Sequence, residues 1–115
     1  CPTICYDLRF PELFRRGVKA GADLFPVIAS WPDTRAHHWT TLLQARAIEN
    51  QAFVVGVNRI GKDPKFNYPG LSTIIDPHGA ALANAQDEAT CIIADVSHET
   101  VSEWREEFRA LGDIN

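Results

Sequence analysis

Methionine is absent from this chain of 115 residues, and cysteine occurs only three times, as Cys1, Cys5 and Cys91. An odd number of cysteines at unrelated spacings excludes a disulfide framework and suits a reducing compartment, so a cytoplasmic location is expected. Long apolar runs are missing too. None exceeds a few residues, which is too short for a membrane-spanning helix, and no basic stretch followed by an apolar one has the look of a leader peptide. There is no excess of positive charge either: the net charge is −4 and the isoelectric point about 5.5. Nucleic acid and anionic membrane surfaces are therefore not expected as partners. With no methionine and a strand-like start, the chain is expected to be a portion of a longer polypeptide. What is present is ordinary for a globular protein. The chain is 45% hydrophobic and 23% charged, enough for a single domain over residues 1–115 with a real core.

Strands and helices alternate, which predicts an α/β fold. Thr3–Tyr6 reads as a strand entering a sharp turn, and Pro11–Ala20 as a helix. Proline at the first helical position loses no hydrogen bond, Glu12 sits in the first turn, and Arg15, Arg16 and Lys19 complement the other end. Gly21 then stops the helix. The almost wholly apolar Leu24–Ile28 predicts a strand buried on both faces. A loop over Ala29–Arg35 carries Trp31 and Pro32. Ala36–Gln51 reads as a helix that buries Trp39, Leu42, Leu43 and Ala47. Phe53–Val57 is a further apolar strand, followed by a polar loop from Asn58 to Pro69. Leu71–Asp76 and Ala80–Ala85 predict a hairpin around the turn Pro77-His78-Gly79. Thr90–Val96 alternates as another strand, with Cys91 packed within it. Ser97 caps a last helix reaching about Leu111, with Val101, Trp104, Phe108 and Leu111 as its apolar stripe.

One short stretch points to chemistry: Ile4-Cys5-Tyr6-Asp7-Leu8-Arg9-Phe10-Pro11-Glu12. A strand delivers a thiol into a turn that opens a helix. At such an elbow the thiol faces unpaired backbone N–H groups and the positive end of a helix dipole, surroundings that favour thiolate and stabilise an oxyanion. Cys5 is thus a candidate nucleophile, with the N–H of Tyr6 as a candidate oxyanion donor. No acid/base partner is evident. Spacing alone leaves open an ordinary buried core cysteine in a non-catalytic α/β interaction module.

The same stretch resembles the nucleophile motif of the nitrilase superfamily, the carbon–nitrogen hydrolases. The resemblance continues through Ser30-Trp31-Pro32, His38-Trp39, Gln44-Ala45-Arg46-Ala47-Ile48-Glu49-Asn50-Gln51, Val57-Asn58-Arg59-Ile60-Gly61, the run from Gly70 to Gly79, and Trp104-Arg105-Glu106-Glu107-Phe108. Trp31-Pro32, Arg35 and His38-Trp39 most resemble the omega-amidase branch, whose substrates are omega-amides of 2-oxo dicarboxylic acids. Other branches, namely nitrilases, N-carbamoyl amino acid hydrolases and aliphatic amidases, are the alternatives. The resemblance implies an αββα sandwich of mixed β-sheets covered by helices, with this chain as its C-terminal half. It implies a Glu–Lys–Cys triad in which Cys5 is the nucleophile and the Glu and Lys lie upstream. It implies a small-molecule amide substrate, no metal or organic cofactor, and a homo-oligomer joined through the helices Pro11–Ala20 and Ala36–Gln51. A chain lacking the other half is expected to be inactive alone and to expose an apolar sheet face.

The remaining polar residues are read as support for such a site. Asp7, Arg9 and Glu12 would orient the elbow through a structural ion-pair role. Arg46 and Glu49, one helical turn apart, would pair. Trp31 would either form a pocket wall, since loops beyond strand C-termini line sites in α/β sheets, or simply pack in the core. Arg35 is a candidate to grip a substrate carboxylate with its planar fork, the alternative being an ordinary surface arginine, and His38 would fix the loop by hydrogen bonding. His37 and His38 diverge by about 100° on a helix. Together with Cys1, Cys91, His78 and His98 they show no zinc-like spacing.

Overall fold

The computed structural model describes residues 1–114. Its centre is a mixed five-stranded sheet of order β1-β2-β3-β6-β7, with β1 Thr3–Ile4, β2 Leu24–Ala29, β3 Phe53–Asn58, β6 Thr73–Ile75 and β7 Ala81–Asn84. The first three strands run parallel and the last two antiparallel. Helix α1 (Pro11–Lys19) connects β1 to β2, and α2 (Ala36–Asn50) connects β2 to β3. Parallel neighbours need such crossovers, because a tight turn can only reverse the chain. β4 (Ile60–Lys62) and β5 (Asn67–Pro69) form a separate two-stranded hairpin, and α3 (His98–Glu107) is followed by a 3-10 turn at Ala110–Asp113.

Local chemistry accounts for most element ends. Pro11 starts α1, and Gly21 takes φ +94° just past it, a conformation that costs glycine little. Gln51 caps α2 in the left-handed region at φ +45°, one residue beyond the last helical position. Ser97 accepts the Thr100 N–H at the start of α3. In the β6–β7 turn, Asp76 accepts the N–H groups of His78 and Ala80, and Gly79 sits at φ +89°.

The core lies on one side of the sheet. Phe25, Val27, Val54 and Ile75 from the strands meet Phe14 of α1 and Trp39, Leu43 and Ala47 of α2. Gly56 lets α2 approach: a Cβ there would lie 2.5 Å from Leu43 Cδ1 and 3.0 Å from Trp39 Cζ2. The opposite sheet face is different. Ile4, Ile28 and Val57 stand in register across β1, β2 and β3, and they are 62%, 54% and 49% exposed. β2 is therefore buried on one face only, which corrects the reading of its apolar run, while an uncovered apolar row of the expected kind is present. Helix α3 is held across the N-terminal ends of β2 and β3. Arg105 pairs with Asp23 at 2.8 Å and donates to the carbonyls of Ala22, Asn50 and Gln51.

Other sequence expectations change as well. The first strand stops at Ile4, and Cys5–Arg9 is a 3-10 turn. The polar loop from Asn58 to Pro69 contains the β4–β5 hairpin, whose turn is made by Asp63 accepting the Lys65 and Phe66 N–H groups, a local Asx device invisible to hydrophobic periodicity. Residues 90–96 form no strand, and Ile93 is 87% exposed. Their alternation is that of an extended segment, but a strand also needs a neighbour to complete its ladder. Cys91 is accordingly exposed rather than packed. The last helix ends at Glu107.

Because Trp39 and Leu43 are both fully buried, neither can yield to an added methyl group. Gly56→Ala is expected to lower the unfolding free energy by about 1–3 kcal/mol, read from the urea midpoint. An unchanged midpoint would show that the α2–sheet contact can relax.

Candidate active site

β1, β2 and β3 end side by side, and the chain segments leaving β1 and β2 line one recess. It is lined by Cys5, Tyr6, Arg9, Ser30, Trp31, Pro32 and Arg35, with a volume of about 140 Å³. That is smaller than the roughly 300–1,000 Å³ of complete small-molecule sites. Cys5 also borders a second, more open hollow with Ile4, Ile28, Ala29 and Ser30. The half-buried thiol thus stands between the Trp31 loop and the uncovered sheet face.

The backbone at Cys5 is unusual. Its φ is +42°, in the left-handed region that a side chain with a Cβ seldom occupies. Holding a residue there costs about 1–3 kcal/mol and persists only where the surroundings enforce it. Asp7 fixes the upstream side by accepting the Ile4 N–H at 2.9 Å, and its carbonyl accepts the Phe10 N–H at 2.9 Å. Arg46, almost fully buried, fixes the downstream side. Its Nε and Nη2 both donate to the Leu8 carbonyl, at 3.1 and 2.7 Å, while Nη1 pairs with Glu49 at 2.8 Å. The guanidinium also lies over the Phe14 ring. Tyr6 occupies the first turn of the 3-10 segment, where amides lack an intrahelical acceptor. Helix α1 begins six residues after Cys5, so the helix end next to the thiol is that of a short 3-10 turn rather than of α1.

The Trp31 wall is built from several directions. The indole is buried, tilted against Trp39 at 5.6 Å, and covered by the Arg9 guanidinium at 4.7 Å. Its Nε1 donates to the Arg35 carbonyl at 2.7 Å. The Arg9 nitrogens lie 3.3–3.4 Å from His38 Nδ1, which ties the elbow to the start of α2. Arg35 is exposed at the mouth of the recess, with its guanidinium 5.9 Å from the Phe66 ring of the β4–β5 hairpin.

The structure therefore brings Cys5, Tyr6, Arg9, Trp31 and Arg35 together, with Asp7, His38, Arg46 and Glu49 behind them. Glu12 is not among them. It is exposed in a groove between α1 and α2 with Arg15, Arg16, Lys19 and Glu49. Among the described residues Asp7, Arg9 and Glu12 make no ion pair with one another; Arg9 uses its charge on an indole and an imidazole instead. No carboxylate or lysine lines the recess among the described residues. Sequence reasoning assigned no role to Asn58, whose side chain holds the Trp31 backbone, or to the β4–β5 hairpin. There Tyr68 donates to Asp63 at 2.6 Å, and that bond, with two backbone N–H groups, holds the Asp63 carboxyl down at about 2. Tyr68 is raised in return, first by the same hydrogen bond.

Three comparisons bear on these features. A profile of the carbon–nitrogen hydrolase family matches residues 2–106. The chain is 46% identical over 116 residues to a protein of Yersinia enterocolitica named omega-amidase YafV, covering 99% of this chain and 44% of that protein. It is 45% identical to the 2-oxoglutaramate amidase of Paenarthrobacter nicotinovorans, covering 96% of this chain and 38% of that protein. The crystal structure of XC1258 from Xanthomonas campestris, a CN-hydrolase superfamily protein, superposes with a TM-score of 0.91 at 37% identity, covering 99% of this chain and 46% of that one. The chain thus spans less than half the length of the relatives it matches.

The elbow depends on Arg46 in a way that a volume-matched substitution isolates. Arg46→Met is expected to cost about 2 kcal/mol by leaving the Leu8 carbonyl unsatisfied, and to speed amide hydrogen exchange at Phe10 more than in β6. Equal protection at Phe10 in both proteins would sink the anchoring role.

Proposed function

The chain belongs to the carbon–nitrogen hydrolase family, and on that premise we propose that it carries the nucleophile of an omega-amidase. The observation behind this reading is Cys5 itself: a thiol in left-handed backbone at a parallel strand's end, in a recess with Trp31 and two guanidinium groups. The substrate class follows from the names of the relatives, omega-amidase and 2-oxoglutaramate amidase. It also suits a mouth bearing Arg35, which would receive the distal carboxylate of a dicarboxylic acid amide.

In the proposed reaction the Cys5 thiolate attacks the amide carbon, forming a C–S bond while the carbonyl electrons move to oxygen. The Tyr6 N–H stabilises that oxyanion. Collapse breaks the C–N bond, and ammonia leaves with a proton supplied by a general acid. Water then attacks the thioester and the thiolate departs. The general acid/base and an oxyanion lysine would come from outside these 115 residues, packed on the face where Ile4, Ile28 and Val57 are exposed.

The protein would work in the cytoplasm, where its free cysteines stay reduced. No helix among the described residues is long and apolar enough to cross a membrane. It would associate with itself through α1 and α2; Leu13 of α1 and Phe10, the residue just before that helix, are exposed.

The native protein should release ammonia from 2-oxoglutaramate or 2-oxosuccinamate, and faster than it turns over N-carbamoyl amino acids or nitriles. Cys5→Ala should reduce that rate by about 10³-fold or more, and Arg35→Ala should raise KM about tenfold with little change in kcat. Preference for carbamoyl substrates would overturn the omega-amidase assignment, and full activity of Cys5→Ala would overturn the nucleophile. Sedimentation of the native protein and of Leu13→Glu checks the association: a smaller species is expected for the variant, and a monomeric wild type would refute it.

A further inference from the structure

We infer that Asn58 is the positioning residue of this recess: its buried carboxamide holds the Trp31 wall, and through it both arginines, in place beside Cys5. The backbone pairing of β2 with β3 ends at Ala29 and Asn58, with one further bond from the Arg59 N–H to the Ala29 carbonyl. Trp31 lies two residues beyond, out of reach of the ladder. The Asn58 side chain extends the pairing to it. Its Oδ1 accepts the Trp31 N–H at 2.7 Å, and its Nδ2 donates back to the Trp31 carbonyl at 3.0 Å. The second Nδ2 hydrogen goes to the Gly70 carbonyl at 2.8 Å, where the β4–β5 hairpin rejoins the sheet. The Asn58 N–H is itself held by the Ser72 hydroxyl at 2.9 Å.

A carboxamide is suited to this place because it offers one acceptor and two donors on one planar group. Aspartate would accept from the Trp31 N–H but would confront two carbonyl oxygens. An alanine would leave three buried polar groups unpaired. The consequence reaches the pocket because Trp31 is a hub: Arg9 stacks on its indole and the Arg35 carbonyl accepts from its Nε1. Release of Trp31 therefore displaces both cations of the recess at once. The consequence for substrate, but not the positioning itself, rests on the amidase reading given above.

The test uses the native protein labelled with 5-fluorotryptophan, the Trp31 resonance being assigned by its loss in Trp31→Phe. In Asn58→Ala the Trp31 fluorine line should shift or broaden, while the line of Trp104, on α3 across the molecule, stays put. KM for 2-oxoglutaramate should rise about tenfold with kcat nearly unchanged. Ser72→Ala, which removes only the hydroxyl holding the Asn58 N–H, should move the Trp31 line in the same direction by less, and decides the matter if Asn58→Ala does not fold. An unmoved Trp31 line, or all tryptophan lines moving together, would overturn the positioning role. A moved line with unchanged KM would overturn its bearing on substrate. A wild type that hydrolyses no amide would remove the amidase reading and leave the fluorine result standing.

Discussion

The left-handed backbone at Cys5 is the constraint around which this chain is organised. A non-glycine residue at φ +42° is held by its neighbours or it relaxes. Here the holding is shared between an acidic side chain on the preceding amide and a buried arginine on a carbonyl three residues later. Arg46 comes from α2, which reaches the elbow because Gly56 lets the helix close on the sheet. The geometry of one thiol is therefore tied to the packing of the whole helical face.

Two design choices meet at the ends of the parallel strands. The backbone ladder gives rigidity up to Ala29 and Asn58, and side chains take over where it stops. Asn58, Trp31, Arg9 and His38 form a continuous run of hydrogen bonds and ring contacts from β3 to the start of α2. Such runs are costly when incomplete, since each buried polar group left over forfeits its solvation. This one is closed at its Asn58 end, where both amide hydrogens are used.

The sheet is finished on one side only. Helices α1 and α2 cover one face, while a row of branched apolar residues on the other remains open to solvent. The recess is small and lacks a carboxylate or lysine among the described residues. Both features fit a chain that spans less than half the length of its relatives.

Much of this was legible in the sequence. The order of the main strands and helices, the proline start of α1, the Arg46–Glu49 pair and the family itself all follow from local pattern and motif, because capping, spacing and short-range pairing are properties of neighbouring residues. The residue types of the elbow also marked Cys5 as a nucleophile candidate. What sequence could not supply was anything requiring a distant partner. Residues 90–96 alternate like a strand and find no ladder. Glu12 is adjacent in sequence to the elbow but faces another groove. Asn58 looked like the start of a loop, yet it holds a tryptophan 27 positions away. Tertiary structure alone decided these cases, because hydrogen-bond partners and burial are set by which segments the folded sheet brings together.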